Sequence, residues 1–545
     1  MIINEKKIPA ALFLLFACLY FFLLGHHGLM EPDEGRYSEI PREMIATGDW
    51  VTPRQNGVLY FEKPVLHYWL TAAAFKALGQ NEFASRFWPA LLGLLTLPLV
   101  FYMGKSIYGG TRAGILSGCV LGTTLLHFAL SRINLTDMTL SFFITLSLMG
   151  LWLASKNRRW LLLFYAGMAL AVLTKGLVGI VLPCGIAFWY ILLTRQWRLI
   201  RDYFYIPGIL LFFAISVPWF WIVCQRNPDF FHFFFIQEHF LRYTTRIHNR
   251  YEPMWFFLPI LLAALIPWTG WLPATYRSSC AHWKEQKKAT VFLLCWSLVI
   301  LFFYSLSSSK LIPYILPCLP PLALLIGGAI HTALEEGNNR VLRNGFIGSA
   351  FLSLPLALAF CIYPFVQHRI PQEKVIPVGI ALAACLLGGA FLPLFFLRKN
   401  QPTRAVWVQV IAAFLFCLSA VPLFGIIAED RSAKELAAFI EKRLYPGDLL
   451  AEYATFDQGL PFYLKRRIAL VDYTGELAFG AQFPTAKDWF FTQEEFEKYR
   501  KKRGVLLIMK KRDVDTFFRN GVPEGIITEF YRNYALISYP LEVAQ

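Results

Sequence analysis

The sequence predicts a polytopic α-helical membrane protein of about thirteen transmembrane helices, with interfacial helices in one outer loop and a small α/β domain at the C-terminus. Three observations predict it. Of the 545 residues, 56% are apolar and only 16% charged, against about 25% charged in a soluble globular protein. Apolar runs recur from Pro9 to Ile427, many reaching the roughly 20 residues that cross a hydrocarbon core. The runs then stop, and residues 429–545 mix helical and strand periodicities. This composition excludes a disordered chain and an ordinary cytosolic protein.

The expected spans lie near 8–26, 83–104, 113–130, 136–155, 160–174, 177–194, 204–224, 254–275, 290–306, 312–332, 343–365, 376–397 and 405–428. Lys6 and Lys7 precede the first, which could be misread as a signal peptide. It lacks a small-x-small cleavage pattern and reads as an anchor. The formal net charge is +16. Residues 429–545 carry 18 basic and 18 acidic side chains, so the excess belongs to the membrane part, with 34 basic against 18 acidic. It is spread through short alternate loops, among them Lys156, Arg158 and Arg159; Arg277, Lys284, Lys287 and Lys288; Arg340 and Arg343; and Arg398, Lys399 and Arg404. Such loops mark the cytoplasmic side, and the pattern is a topology signal with no nucleic-acid footprint.

The other loops, 27–82 and 225–253 among them, then face outward, as does the C-terminal domain after an odd number of spans. In loop 27–82, Glu34 to Ala46 sets Tyr37, Ile40, Met44 and Ile45 on one helical stripe, and Pro64 to Leu78 is a second amphipathic segment. Both suit helices lying in the interface. In the C-terminal part, Ser432–Arg443 and Thr492–Arg503 read as helices; Leu449–Ala454, Ile468–Asp472, Gly504–Met509 and Ala535–Tyr539 read as strands. Nine of the ten cysteines sit in apolar segments and Cys280 in a basic loop, so neither a disulfide framework nor a cysteine zinc site is indicated. No low-complexity segment or convincing internal repeat stands out.

The ionisable residues of the outer loops are the candidate chemistry. The first loop holds Glu31-Pro-Asp33-Glu34-Gly-Arg36-Tyr37 and Tyr60-Phe-Glu62-Lys63-Pro. Paired carboxylates and a Glu-Lys pair at the membrane surface suit a charged substrate, although Asp33 or Glu34 would also serve as a helix cap. Asp137, Lys175 and Lys310 stand singly in apolar outer turns, where ionisable groups are costly and a functional role is the default; snorkelling to the interface is the bland alternative. Loop 225–253 adds Glu238, His239 and Arg242 among phenylalanines that suit interfacial anchoring. Arg242 could bind phosphate oxygens. The sequence establishes no cofactor; a divalent metal (Zn or Mg/Mn) on Glu62 and His239 is conceivable, but two ligands do not make a specific site. Carboxylates and cations around an outward cavity, with no nucleotide-binding loop, favour a lipid-phosphate sugar donor, because nucleotide sugars are not supplied outside the cytoplasm.

Several motifs carry a family resemblance: Pro32-Asp33-Glu34-x-Arg36-Tyr37-x-Glu39-Ile40-x-Arg42-Glu43-Met44, Gly48-Asp49-Trp50, Tyr60-Phe61-Glu62-Lys63-Pro64, Asp137, Thr174-Lys175-Gly176, Glu238-His239-x-x-Arg242, Lys310-Leu311-x-x-Tyr314-Ile315-Leu316 and Tyr473-Thr474-Gly475-Glu476-Leu477. With them the chain resembles the GT-C class of polyprenyl-phosphate-dependent glycosyltransferases, and within it the bacterial 4-amino-4-deoxy-L-arabinose transferases of lipid A. The resemblance covers both parts of the chain in order. Arg54-Gln55-Asn56-Gly57 and Thr244–Tyr251 depart from the pattern.

The resemblance implies a multi-pass bacterial inner-membrane enzyme, N-terminus cytoplasmic and C-terminal domain periplasmic. It would move aminoarabinose from undecaprenyl phosphate to a lipid A phosphate and so confer polymyxin and cationic antimicrobial peptide resistance. It implies Asp33 and Asp137 as catalytic carboxylates, and Arg36, Lys63, Lys175, Arg242 and Lys310 as donor-phosphate ligands. Glu34, Tyr37, Tyr60 and Tyr314 would line the substrate cavity, with Glu62 and His239 the metal candidates. The domains expected are 1–428, including loops 27–82 and 225–253, and 429–545. Alternatives are another polyprenyl-linked sugar or envelope acceptor, including protein O-mannosyltransferase-like chemistry; a lipid transporter, which would favour broken helices near the midplane; and a sensory or structural protein presenting the C-terminal domain.

Overall fold

The computed structural model describes residues 8–241, 252–367, 370–518 and 526–539, without the side chains of His239, Phe240 and Ile527. The chain divides into two compact units, one of residues Met1–Leu24 and Arg86–Ile426, the other of Gly25–Ser85 and Ile427–Gln545.

The first unit is helical. Among the described residues eight helices are long and apolar enough to cross a membrane, from Glu82–Tyr108 to Pro402–Arg431; a bent pair, Met254–Ala264 with Thr269–Ala281, turns by 103° and makes up to a ninth span. The remaining expected spans fall on shorter or interrupted helices: Ile8–Phe21, Thr111–Gly122 followed by Leu125–Leu130, Leu161–Lys175 and Val178–Thr194.

The interruptions are internally satisfied, as a low-dielectric surrounding requires. Thr123 and Thr124 turn their hydroxyls back to the carbonyls of Cys119 (2.7 Å) and Val120 (2.6 Å). The Leu125 amide donates to Ile266 (2.9 Å) at the other break, and the Trp268 indole donates to the Thr123 hydroxyl (2.9 Å). Two buried arginines close the C-terminal end of the first helix: Arg132 donates to the carbonyls of Tyr20 (3.0 Å) and Phe22 (2.7 Å), and Arg86 to that of Leu24 (3.1 Å). Cations there complement the helix dipole.

The second unit is built on a six-stranded sheet. A short hairpin, β1 (Arg54–Gln55) with β2 (Val58–Leu59), precedes its strands β3 (Leu449–Tyr453), β4 (Ala469–Val471), β5 (Phe490–Phe491), β6 (Val505–Lys510), β7 (Ile527–Tyr531) and β8 (Tyr534–Tyr539). The order is β5-β4-β3-β6-β8-β7, parallel from β5 to β6 and antiparallel beyond, with Ala451 opposite both Ala469 and Leu507. Every residue of β3 is buried, as expected for the covered centre of a parallel sheet. Phe496 and Phe517 pack on the same core as Ala451, Leu507 and Ile537. The four expected strands are present, and the two edge strands are additions.

Residues 25–85, expected to go with the membrane part, share this unit. Hydrogen bonds explain why. The Leu29 amide donates to the Tyr463 hydroxyl (2.7 Å) and the Glu31 amide to the Arg431 carbonyl (2.7 Å). Asn56 and Gly57, both at positive φ, form the two-residue turn that an Asn-Gly pair favours. The Asn56 side chain then exchanges two 2.8 Å bonds with the backbone of Ile468. Helix Asp33–Thr47 matches the expected segment, yet its burial exceeds one stripe: Glu34, Arg36, Glu39 and Glu43 are buried with Tyr37, Ile40 and Met44. A Cβ at Gly35 would lie 2.5 Å from the Gly459 amide, so glycine permits the close approach of these two backbones.

Candidate functional site

In the second unit the residues Asp33, Arg36, Tyr60 and Glu476 converge. One guanidinium nitrogen of buried Arg36 donates to the Tyr60 hydroxyl (2.9 Å) and to Glu476; the other donates to Asp33. Asp33 opens its helix, but no side chain caps that end. The carboxylate turns one helical turn forward to Arg36, so the capping alternative fails for it. Buried Glu34 does bind the chain entering the helix, accepting from the Met30 amide (2.9 Å).

The rings of Tyr37 and Tyr60 flank the guanidinium at 5.4 and 5.9 Å, and Tyr37 stacks on Tyr68 at 6.1 Å. Burial opposes the Arg36 charge, but Tyr60, Glu476, Tyr37 and Asp33 outweigh it and hold its pKa above the ordinary arginine value; burial raises the pKa of Tyr60. Arg36 is thus a permanent cation that fixes two carboxylates. Those carboxylates keep contact with solvent, Asp33 being 49% and Glu476 29% exposed.

Glu476 completes the cluster and was absent from the expected site residues; its signal was the Tyr473-Thr-Gly-Glu476-Leu motif. Gln458 supports it, donating to Glu476 (3.2 Å) and accepting from Gln55 (2.9 Å). Glu62 and Lys63 lie on the same unit, both largely buried, with their charged ends 4.0 Å apart.

Deeper in this unit is a second group that sequence reasoning missed. Glu31 accepts from the Gly459 amide (2.8 Å), Glu452 from the Asp457 amide (3.0 Å), and Lys510 lies 3.4 Å from Asp457. Burial, then the Asp457 charge, raises the pKa of both Glu31 and Glu452. The folded protein therefore retains protons that the unfolded chain has released, and stability falls as pH rises from the ordinary carboxyl value, about 4.3, through the raised folded values. Thermal unfolding at a series of pH values is expected to show this decline, and Glu452→Gln is expected to flatten it. Parallel profiles for the two proteins would contradict the assignment.

In the first unit Lys175 and Asp137 form a 2.6 Å ion pair, each side chain only 10% exposed. Lys175 also lies 4.5 Å over the Tyr314 ring. Lys310 is buried and donates to the carbonyls of Ser307 (2.6 Å) and Glu252 (2.7 Å). Both ammonium groups are held by protein partners. Glu238 is buried in helix His232–Leu241, whose Phe234 stacks on the preceding Phe230 at 5.2 Å. Arg242 and the His239 side chain lie outside the described residues.

Among the described residues no group of three His, Cys, Asp or Glu side chains converges, and Glu62 faces the Lys63 cation.

A multi-spanning helical protein that gathers two carboxylates on one buried arginine, with a further buried Asp–Lys pair, has charged groups suited to a lipid-linked-sugar glycosyltransferase. Consistently, residues 9–234 match the dolichyl-phosphate-mannose-protein mannosyltransferase family, and residues 436–536 match the aminoarabinose transferase C-terminal domain. The class is GT-C.

An undecaprenyl phosphate-α-4-amino-4-deoxy-L-arabinose arabinosyl transferase of Pseudomonas aeruginosa is 32% identical over 493 residues, 88% of each chain. One of Erwinia tasmaniensis is 29% identical over 537 residues, covering 94% of this chain and 95% of the other. The crystal structure of ArnT from Cupriavidus metallidurans bound to undecaprenyl phosphate superposes with a TM-score of 0.86 at 29% identity, covering 98% of both chains. The chain belongs to the family of undecaprenyl phosphate-α-4-amino-4-deoxy-L-arabinose arabinosyl transferases, and is a multi-pass inner-membrane protein.

Proposed function

We propose that this protein transfers 4-amino-4-deoxy-L-arabinose from undecaprenyl phosphate to a phosphate of lipid A at the periplasmic face of the inner membrane, and thereby confers resistance to polymyxin and cationic antimicrobial peptides. The observation that carries the reading is the likeness, over 98% of the chain, to a structure bound to undecaprenyl phosphate. In this reading the N-terminus is cytoplasmic and the sheet domain periplasmic.

The acceptor phosphate is already an anion at neutral pH and needs little help from a general base. Asp33 therefore orients substrate: its half-exposed carboxylate, fixed by Arg36, suits the 4-ammonium group of the donor sugar. An acceptor phosphate oxygen attacks the anomeric carbon directly as its bond to the lipid phosphate breaks, with inversion, and the charge developing on the leaving lipid phosphate is met by cations. Lys63 and Arg242 fill that role. Arg36, committed to Asp33, Tyr60 and Glu476, acts by holding the carboxylates, and Asp137 with Lys175 forms a second polar element of the enzyme. No step is routed through a metal; metal analysis of the purified protein, with Glu62→Ala and His239→Ala, tests whether those side chains hold one.

Lys63→Ala is expected to slow transfer by about 10²-fold, since an electrostatic contact to developing charge is lost. Single-turnover rates with saturating donor check this; an unchanged rate would remove Lys63 from the leaving-group role. The match of residues 9–234 to a protein mannosyltransferase family favours one competing acceptor class. Incubating purified protein and donor with lipid A, dephosphorylated lipid A and a Ser/Thr peptide separates the two. Product on phosphorylated lipid A alone is expected, and product on the peptide would favour the competitor.

A further inference from the structure

Helices Leu272–Ala281, Leu319–Glu335 and Asn339–Val366 bring their ends together around a cavity of about 290 Å³. That volume sits at the lower end of the roughly 300–1,000 Å³ typical of small-molecule sites. It lies among the basic loops, remote in sequence from every residue assigned to sugar transfer. Its lining includes Arg277, Ser278, His282, Glu336, Arg340 and Asn344.

The polar lining is unevenly satisfied. Glu336 is taken by His282, whose Nε2 lies 2.6 Å from the carboxylate while its Nδ1 lies 2.9 Å from the Ser278 carbonyl. Both partners are acceptors, an arrangement that suits a ring with hydrogen on both nitrogens. The Ser278 carbonyl and Glu336 raise its pKa, against partial burial. Arg277, Arg340, the Asn344 amide and the Ser278 hydroxyl have no side-chain hydrogen bond or ion pair among the described residues. Ser278 is nonetheless only 6% exposed. Two arginines and a histidine against one carboxylate leave the cavity cationic, and the N-terminal end of Asn339–Val366 adds its dipole.

We propose that this cavity binds a phosphate anion, with Arg277 and Arg340 as the charged ligands and Ser278 and Asn344 as neutral donors. Guanidinium groups match phosphate oxygens in charge and fork geometry. The surroundings suit a phosphodiester headgroup from the bilayer. Exposed Tyr276 and Trp283 adjoin Arg277 and His282 in sequence, and exposed Ile347 lies one helical turn from Asn344. These are apolar surfaces for acyl chains, with aromatic residues of the kind enriched at interfaces.

The test uses purified full-length protein, wild type and Arg277→Gln/Arg340→Gln, in nanodiscs of phosphatidylcholine with or without cardiolipin. Native mass spectrometry is expected to show cardiolipin retained over phosphatidylcholine by the wild type, and retention reduced about tenfold or more in the double variant, the loss of charge-assisted hydrogen bonds. Sugar transfer and the melting transition should be unchanged. Asn344→Asp, which puts a negative charge in the cavity without removing an arginine, is expected to reduce retention similarly. Inorganic phosphate forms the second arm: if it raises the melting temperature of the wild type alone while lipid retention is equal, the anion comes from solution. Equal lipid retention in all three proteins with no phosphate effect would overturn the site. Because transfer is measured separately, that outcome leaves the glycosyltransferase reading untouched.

Discussion

Asp33→Asn is expected to reduce sugar transfer by about 10³-fold, the upper part of the range for removing one preorganised electrostatic contact, while leaving the protein folded. The substitution keeps the shape of the side chain and one carbonyl oxygen to accept from Arg36. It removes the charge that Arg36 otherwise fixes at the solvent boundary. Arg36 retains Glu476 and Tyr60, so the structural cost is small. A variant with a normal melting transition and near-normal transfer would show that the Asp33 charge has no part in transfer.

The second large effect falls on stability. Lys175→Met leaves the Asp137 carboxylate buried without the cation that lies 2.6 Å away, and breaking a buried ion pair from one side costs about 3–5 kcal/mol. Asp137→Asn removes the carboxylate charge that lies 2.6 Å from the Lys175 ammonium, and a loss of similar sign is expected. The double variant Asp137→Asn/Lys175→Met removes both charges and should lose much less than the two single losses combined. Thermal unfolding of the four proteins in one detergent checks this. Additive losses would mean that the two side chains do not depend on each other.

The membrane helices were legible because an apolar run states its own burial. Positions were recovered along the chain, but helices such as Leu161–Lys175 and the break at Thr123 and Thr124 depend on hydrogen bonds to other segments, which no run length reports. The sheet behaved similarly: β3 and β6 are buried apolar strands visible as such, whereas β5 is two residues long and β7 carries Thr528 and Glu529 at an edge. Of the cluster, Asp33 and Arg36 were each marked in the sequence, as a catalytic carboxylate and a phosphate ligand, while their pairing across one helical turn came from the structure. Glu476 is 440 residues from Arg36, and Asp137 is 38 from Lys175. Such partnerships are set by tertiary packing, and the single residues could be marked while their pairing could not. Arg54-Gln55-Asn56-Gly57, a departure from the family motif, proved to be a hairpin whose turn is anchored at Ile468.

The central claim is most directly tested by mass spectrometry of lipid A after incubation with the purified protein and undecaprenyl-phosphate-linked aminoarabinose, with the Asp33→Asn protein in parallel. A mass increase of one aminoarabinose unit on lipid A with the wild type, absent with the variant, is the predicted result. Unmodified lipid A in the presence of folded wild-type protein and intact donor would contradict the claim.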